Sequence, residues 1–157
     1  MPLNQQGDPS IAAHHQPALV LDYARSRELA VAPLLKGTGL DGGALPCAES
    51  QVSAAQYLQL LANVARGLDS ADTSFMLGQQ MLPGHYGAAS HALLQAQNLR
   101  QALTILCGFH TLLCPLLQPR LREAGELHVL YWVDAFGAPS QLPFLVEMHM
   151  TALAAMC

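Results

Sequence analysis

Seven histidines and four cysteines are the side chains of this 157-residue sequence with the widest chemical repertoire. Imidazole and thiolate are the usual nitrogen and sulfur ligands of zinc and haem iron. Their spacing gives little sign of convergence. The chain holds no HxxxH pair, and Cys47, Cys107, Cys114 and Cys157 form no CxxC. His85 and His91 stand six apart across a glycine turn, with His110 and His128 further on. The acidic residues are scattered, and the GxSxG frame of a nucleophile elbow is absent. Catalysis is therefore disfavoured, and the chain is read as a non-enzyme without a cofactor or bound metal. A haem- or metal-dependent sensor module stays open as the alternative, with a small enzyme behind it.

A ligand pocket is the better use of these side chains. Small-molecule sites are mostly apolar, with a few placed polar groups. His85, Tyr86, His110, Tyr131 and Trp132 are the candidates, in a pocket between a hairpin and a helical layer; ordinary core packing is the competing reading. Arg120 and Arg122 lie two apart on one strand face and are the candidate anion site, against the plainer reading of a solvated edge. The other arginines are dispersed, which favours an apolar or weakly polar effector.

The elements that must position these residues are mainly helical. Pro17 opens a helix with Leu19, Val20, Tyr23 and Ala24 on one face. A short helix over 28–36 meets Pro33, which implies a kink or a late start, and Gly37 closes it. Ser53 caps an amphipathic helix burying Tyr57, Leu58, Leu61, Val64, Ala65 and Leu68, with Asn63 and Arg66 facing out. The next helix, 73–81, carries Gly78 in its interior, a sign of close packing. The stretch LPGHYGAASHALLQAQNLRQALTIL at 82–106 opens with a glycine turn, enters one helix, and restarts at the N-cap Asn98. The second helix puts Leu99, Ala102, Leu103, Leu106, His110 and Leu113 on one stripe.

After Pro115 the period changes from helical to two. Segments 116–123 and 126–133 flank Ala124-Gly125, and Leu127, Val129, Tyr131 and Val133 alternate with His128, Leu130 and Trp132. This is a β-hairpin whose second strand is apolar on both faces, so both should be covered. A last helix over 141–157 carries Leu142, Leu145, Val146, His149, Leu153 and Met156 along one side. The expected fold is α+β, mostly helical, with a small antiparallel sheet packed on the helices. Residues 1–15 read as a disordered tail and 16–157 as one domain. The final helix shows no stop signal, so a longer protein is expected.

Composition narrows the function further. Charged residues make up 11% of the chain, against about 25% in an average soluble domain. Lys36 is the sole lysine, and the net charge is −4. Nucleic-acid binding by this segment would call for a basic stripe. No apolar run approaches the ~18 residues of a membrane span, and the N-terminus has no signal-peptide pattern. A cytoplasmic protein with reduced thiols is expected.

The order of these signals resembles a known family. LLKGTGL at 34–40, the run SAAQYLQLLANVARGLDSADTSFMLGQQM at 53–81, PGHYGAASHALLQAQNLRQALTILCGF at 83–109 and the hairpin after them are similar to the N-terminal sensor domain of AraC-type transcriptional regulators. The branch is the one whose sensor is of the arabinose-binding type, with the ornithine-utilisation regulators. Asp72, Leu77, Gly78, Gly84, His85, Gly87, Ala102 and Leu103 stand near the family's motif positions. The chain departs from the pattern at HYG in place of HG, and at Asn98 in place of Ser or Thr. The resemblance implies a cytoplasmic regulatory domain that senses a small effector, mediates homodimerisation, or does both. It also implies a DNA-binding domain with two helix-turn-helix motifs beyond residue 157. Family effectors vary, so the resemblance implies no specificity for arabinose.

Overall fold

The computed structural model describes residues 10–43, 45, 49–81, 85 and 87–156. In chain order these form β1 (Ser10–Ala12), α1 (Gln16–Ser26), α2 (Val31–Leu35), β2 (Gln51–Ser53), α3 (Ala54–Leu68), α4 (Thr73–Gln80), α5 (Ala88–Leu94), α6 (Leu99–Gly108), α7 (His110–Leu113), β3 (Leu117–Ala124), β4 (Leu127–Asp134) and α8 (Leu142–Met156). A 3-10 turn at Pro139–Gln141 leads into α8. The fold is α+β and mostly helical, with two separate two-stranded antiparallel sheets.

The first sheet corrects the reading of residues 10–15 as part of a tail. Ser10 lies opposite Ser53 in the β1–β2 pair, and its hydroxyl donates to Gln51 Oε1 at 2.7 Å. Ile11 and Ala13 are buried. Residues 1–9 lie outside the described residues. Three-residue strands are too short to display a period of two, which is why the sequence does not announce them.

The centre of the molecule is α3. Ser53 accepts from the Gln56 amide, and the Gln56 side chain accepts from the Ser53 amide, a reciprocal cap. Tyr57, Leu58, Leu60, Leu61 and Val64 are buried. Asn63, expected on the outer face, is also buried. Its amide donates to the carbonyls of Leu34 at 2.7 Å and Lys36 at 2.9 Å. These are carbonyls at the end of α2, which cannot be satisfied within a helix that stops there. Pro33 produces the late start of α2 at Val31, and Gly37 leaves it at φ +75°.

Gln16, at the start of α1, is buried too. It donates to the Leu113 carbonyl at 3.1 Å, and its oxygen receives the Tyr57 hydroxyl at 3.4 Å. Burial pushes the Tyr57 phenol above its ordinary range, the neighbouring Cys114 adding to the shift.

α4 and α8 pack closely. A Cβ placed on Gly78 would collide with the Met148 carbonyl and stand 2.7 Å from the Thr151 Cβ, so the interior glycine of α4 is a packing requirement. Asn98 caps α6 by accepting from the Gln101 amide at 2.9 Å. The stripe expected to run through 99–113 is broken at Phe109, where α6 ends and α7 begins. Leu99, in the first turn of α6, lies 57% exposed, whereas Leu103, Leu106 and Leu113 are buried.

β3 and β4 pair from Leu117–Asp134 to Ala124–Leu127, and Gly125 turns the chain at φ +63°. Leu117, Pro119 and Leu121 share the inner face with Leu130 and Trp132. The expectation that both faces of β4 are covered does not hold within the chain. Leu127 is 70% exposed, and Tyr131 and Val133 are exposed beside it.

Candidate functional site

Because adjacent residues of a strand point to opposite faces, Trp132 turns inward where Tyr131 turns out. Facing it is α8, whose Leu145, His149 and Leu153 recur at four-residue intervals and are all buried. The wall is completed by Ser90 and Leu93 from α5, Leu106 from α6, and Leu113 and Cys114 from α7 and its end. With Trp132, His149 and Leu153 these residues line a cavity of about 20 Å³ between the hairpin and the helices. That is room for one water-sized group. Met156, partly exposed in the last turn of α8, closes one side.

Two polar atoms in this apolar wall decide its chemistry. His149 Nδ1 lies 2.8 Å from the Leu145 carbonyl. A carbonyl only accepts, so Nδ1 carries the proton and Nε2 of the neutral ring presents a lone pair. Burial holds the imidazole neutral, with its pKa lowered to about 4, although the bond to Leu145 works in the opposite direction. Trp132 Nε1–H is a donor and nothing else. Both atoms are buried, and neither has a hydrogen-bond partner among the described residues. The two rings are tilted at 52°, with centroids 5.8 Å apart. Burial also pushes the Cys114 thiol well above its usual range, Cys107 adding to the effect, so this wall carries no thiolate.

Of the five residues expected to share one pocket, the four that are described do not converge. Trp132 lines the cavity. His85 instead borders an open cleft of about 330 Å³ with His15, Gln16, Gln51, Thr111 and Leu112 among its walls. There His15 has its pKa lowered by burial and by repulsion from His14 and His85. Gly87, at φ +67°, leaves the imidazole its space, since a Cβ would come within 2.9 Å of His15 Cε1. His110 Nδ1 meets the Cys107 carbonyl at 3.1 Å. These two residues stand in CxxH spacing, yet the imidazole is engaged by the backbone. Tyr131 lies on the outer face of β4, and Tyr86 lies outside the described residues. Arg120 and Arg122 are exposed on that same outer face, opposite Tyr131 and Val129.

His149 is the residue that sequence reasoning places on the inner stripe of α8 without assigning it to a pocket. Its signal is a polar residue inside an otherwise apolar i, i+4 series. Among the described residues, no three His, Cys, Asp or Glu side chains are grouped so as to hold a metal ion. No helix among them is long and apolar enough to cross a membrane.

A family model described as the arabinose-binding domain of AraC transcription regulator, N-terminal, matches residues 29–157. No curated protein matches the chain.

Proposed function

The chain belongs to the family of N-terminal arabinose-binding domains of AraC transcription regulators, and from that premise we propose that it senses a small effector in the cavity between β4 and α8. The observation that carries this reading is the pair Trp132 Nε1 and His149 Nε2, buried in one apolar wall and unpartnered among the described residues. Leaving such groups unsatisfied costs about 1–3 kcal/mol each. A ligand that engages both recovers this energy only in the conformation that holds the two rings together. Binding therefore favours one packing of α8 against the hairpin over others, which is all a ligand needs to shift an equilibrium.

In this reading the domain acts by binding, without catalysis or cofactor, in the cytoplasm. DNA contact belongs to another domain of the regulator. A thermal-shift screen of the chain with sugars, amino acids, fatty acids and small alcohols tests the site. A ligand that raises the melting temperature of the native chain but not of Trp132→Phe or His149→Phe supports it. Equal stabilisation of all three proteins removes the cavity as the sensing site.

Dimerisation is supported by a different observation, the exposed outer face of the hairpin at Leu127, Tyr131 and Val133. A family of regulators that acts through paired domains has a use for such a surface. Sedimentation velocity over a range of concentrations measures it directly.

A further inference from the structure

The cavity specifies the chemistry of what it binds, provided it is the sensing site. Trp132 offers one donor and His149 one acceptor. A carboxylate or a carbonyl accepts from Trp132 but has no proton for His149. An ammonium donates to His149 but cannot accept from Trp132. A hydroxyl is the smallest group that does both. Both rings border the same small cavity, with their centroids 5.8 Å apart. The rest of the wall is Leu93, Leu106, Leu113, Leu153 and Met156 with Cys114 and Ser90, the Ser90 hydroxyl donating to the Gly87 carbonyl at 2.6 Å; it is mainly apolar and disfavours further polar groups. A pentose, with a hydroxyl on almost every carbon, would bury several of them against leucine at a cost of roughly 1–3 kcal/mol for each one left unpaired.

We propose that the effector is a small, uncharged, largely apolar molecule bearing one hydroxyl. The hydroxyl accepts from Trp132 Nε1–H and donates to His149 Nε2, in the place a single water can occupy. The volume of about 20 Å³ holds that hydroxyl alone. The apolar body enters beside Met156, an unbranched side chain at the partly exposed end of α8, able to change rotamer as the body arrives.

Trp132 is the single tryptophan of the sequence, so its indole N–H resonance and its fluorescence report on this cavity and nothing else. The experiment titrates the chain with phenol and with 1-hexanol, and compares anisole and toluene as near-isosteres of phenol. Anisole accepts but does not donate; toluene does neither. The expected result is a saturable shift of the indole resonance by phenol or hexanol, with affinity at least tenfold above that of anisole and toluene. His149→Gln, whose side-chain oxygen still accepts, retains a measurable part of the preference, and His149→Phe abolishes it. Equal binding of phenol, anisole and toluene overturns the hydroxyl class while leaving the site intact. The same holds if a sugar, an amino acid or a fatty acid saturates the indole shift and the alcohols do not. Any effector that stabilises the chain without moving the indole resonance overturns the site itself. If no compound of either panel binds, the hydroxyl proposal fails.

Discussion

Gly78 of α4 lies against the backbone carbonyl of Met148 in α8, with no space for a side chain between them. One turn earlier, Ser74 donates to Glu147 at 2.6 Å. The two contacts fix the height and rotation of α8, and hence where the next residue, His149, aims its ring. The helix that carries the proposed recognition group is thus positioned by a helix that takes no part in the cavity.

Gly78→Ala should destabilise the chain. Alanine is the better helix former by roughly 0.5–1 kcal/mol, but forcing a methyl against a backbone carbonyl costs typically 1–3 kcal/mol or more. The collision wins, because a backbone group cannot swing aside. Urea unfolding should show a lower midpoint, and the Trp132 emission of the folded variant should shift as α8 moves. A variant as stable as the native chain, with unchanged emission, would contradict the close approach.

Asn63→Leu should cost about 1–3 kcal/mol, although leucine is the more apolar residue. The Leu34 and Lys36 carbonyls lose their donor while remaining under α3. Asn63→Asp should be at least as harmful, since a carboxylate has no proton to give. Chemical denaturation of both variants against Asn63→Gln, which keeps the amide, separates hydrogen bonding from packing.

His149 makes the fold sensitive to acid. Its folded pKa of about 4 lies below the ordinary value near 6.5. The unfolded chain therefore binds the proton first as pH falls. This contribution to stability is complete above about pH 6.5, declines between 6.5 and 4, and levels off below. Its full size is roughly 3 kcal/mol. His15, whose pKa is also lowered by burial first and by His14 and His85 second, acts in the same direction. Melting curves of the native chain and of His149→Gln from pH 7 to pH 4 should converge as pH falls; parallel curves would show that the ring is accessible to protons in the folded state.

Much of the fold is legible in the sequence, and the features that escape it share a cause. The Ser53 cap, the Asn98 cap and the hairpin each depend on neighbours in sequence, so local pattern suffices to find them; Gly78 shows as a glycine out of place inside a helix, although its partners Met148 and Thr151 lie far along the chain. Asn63 defeats such pattern because its partners are the last carbonyls of α2, 27 and 29 residues away, and helical period alone cannot see them. The period also puts His110 on one stripe with Leu106, but the helix breaks at Phe109 and the His110 ring meets the Cys107 carbonyl instead of the cavity that Leu106 and Leu113 line. Chemistry alone groups Tyr131 with Trp132, although adjacency on a strand sends them to opposite faces. β1 is invisible because three residues carry no period. His149 can be read from sequence as a core position but not as a site, since its unpaired nitrogen only becomes informative once Trp132 is seen beside it.

If the outer face of the hairpin pairs two copies of the chain, Tyr131→Asp should weaken that pairing without unfolding the monomer. Tyr131 is 45% exposed and contributes nothing to the inner face, so the monomer's melting temperature should change little. The sedimentation coefficient should fall toward that of a single chain. A chain that sediments as a monomer before substitution, at all concentrations, removes the dimer reading.

Gln16 has a kinetic meaning beyond its hydrogen bonds. Its partners stand 41 and 97 positions along the sequence, and Ser10 reaches a residue 41 positions away. Closing such long loops costs entropy before any contact returns it, and non-local pairings of this kind slow folding. The expectation is that the N-terminal segment docks late in folding. Loss of the Gln16 amide in Gln16→Leu should accordingly speed unfolding more than it slows refolding, the mark of an interaction absent from the transition state.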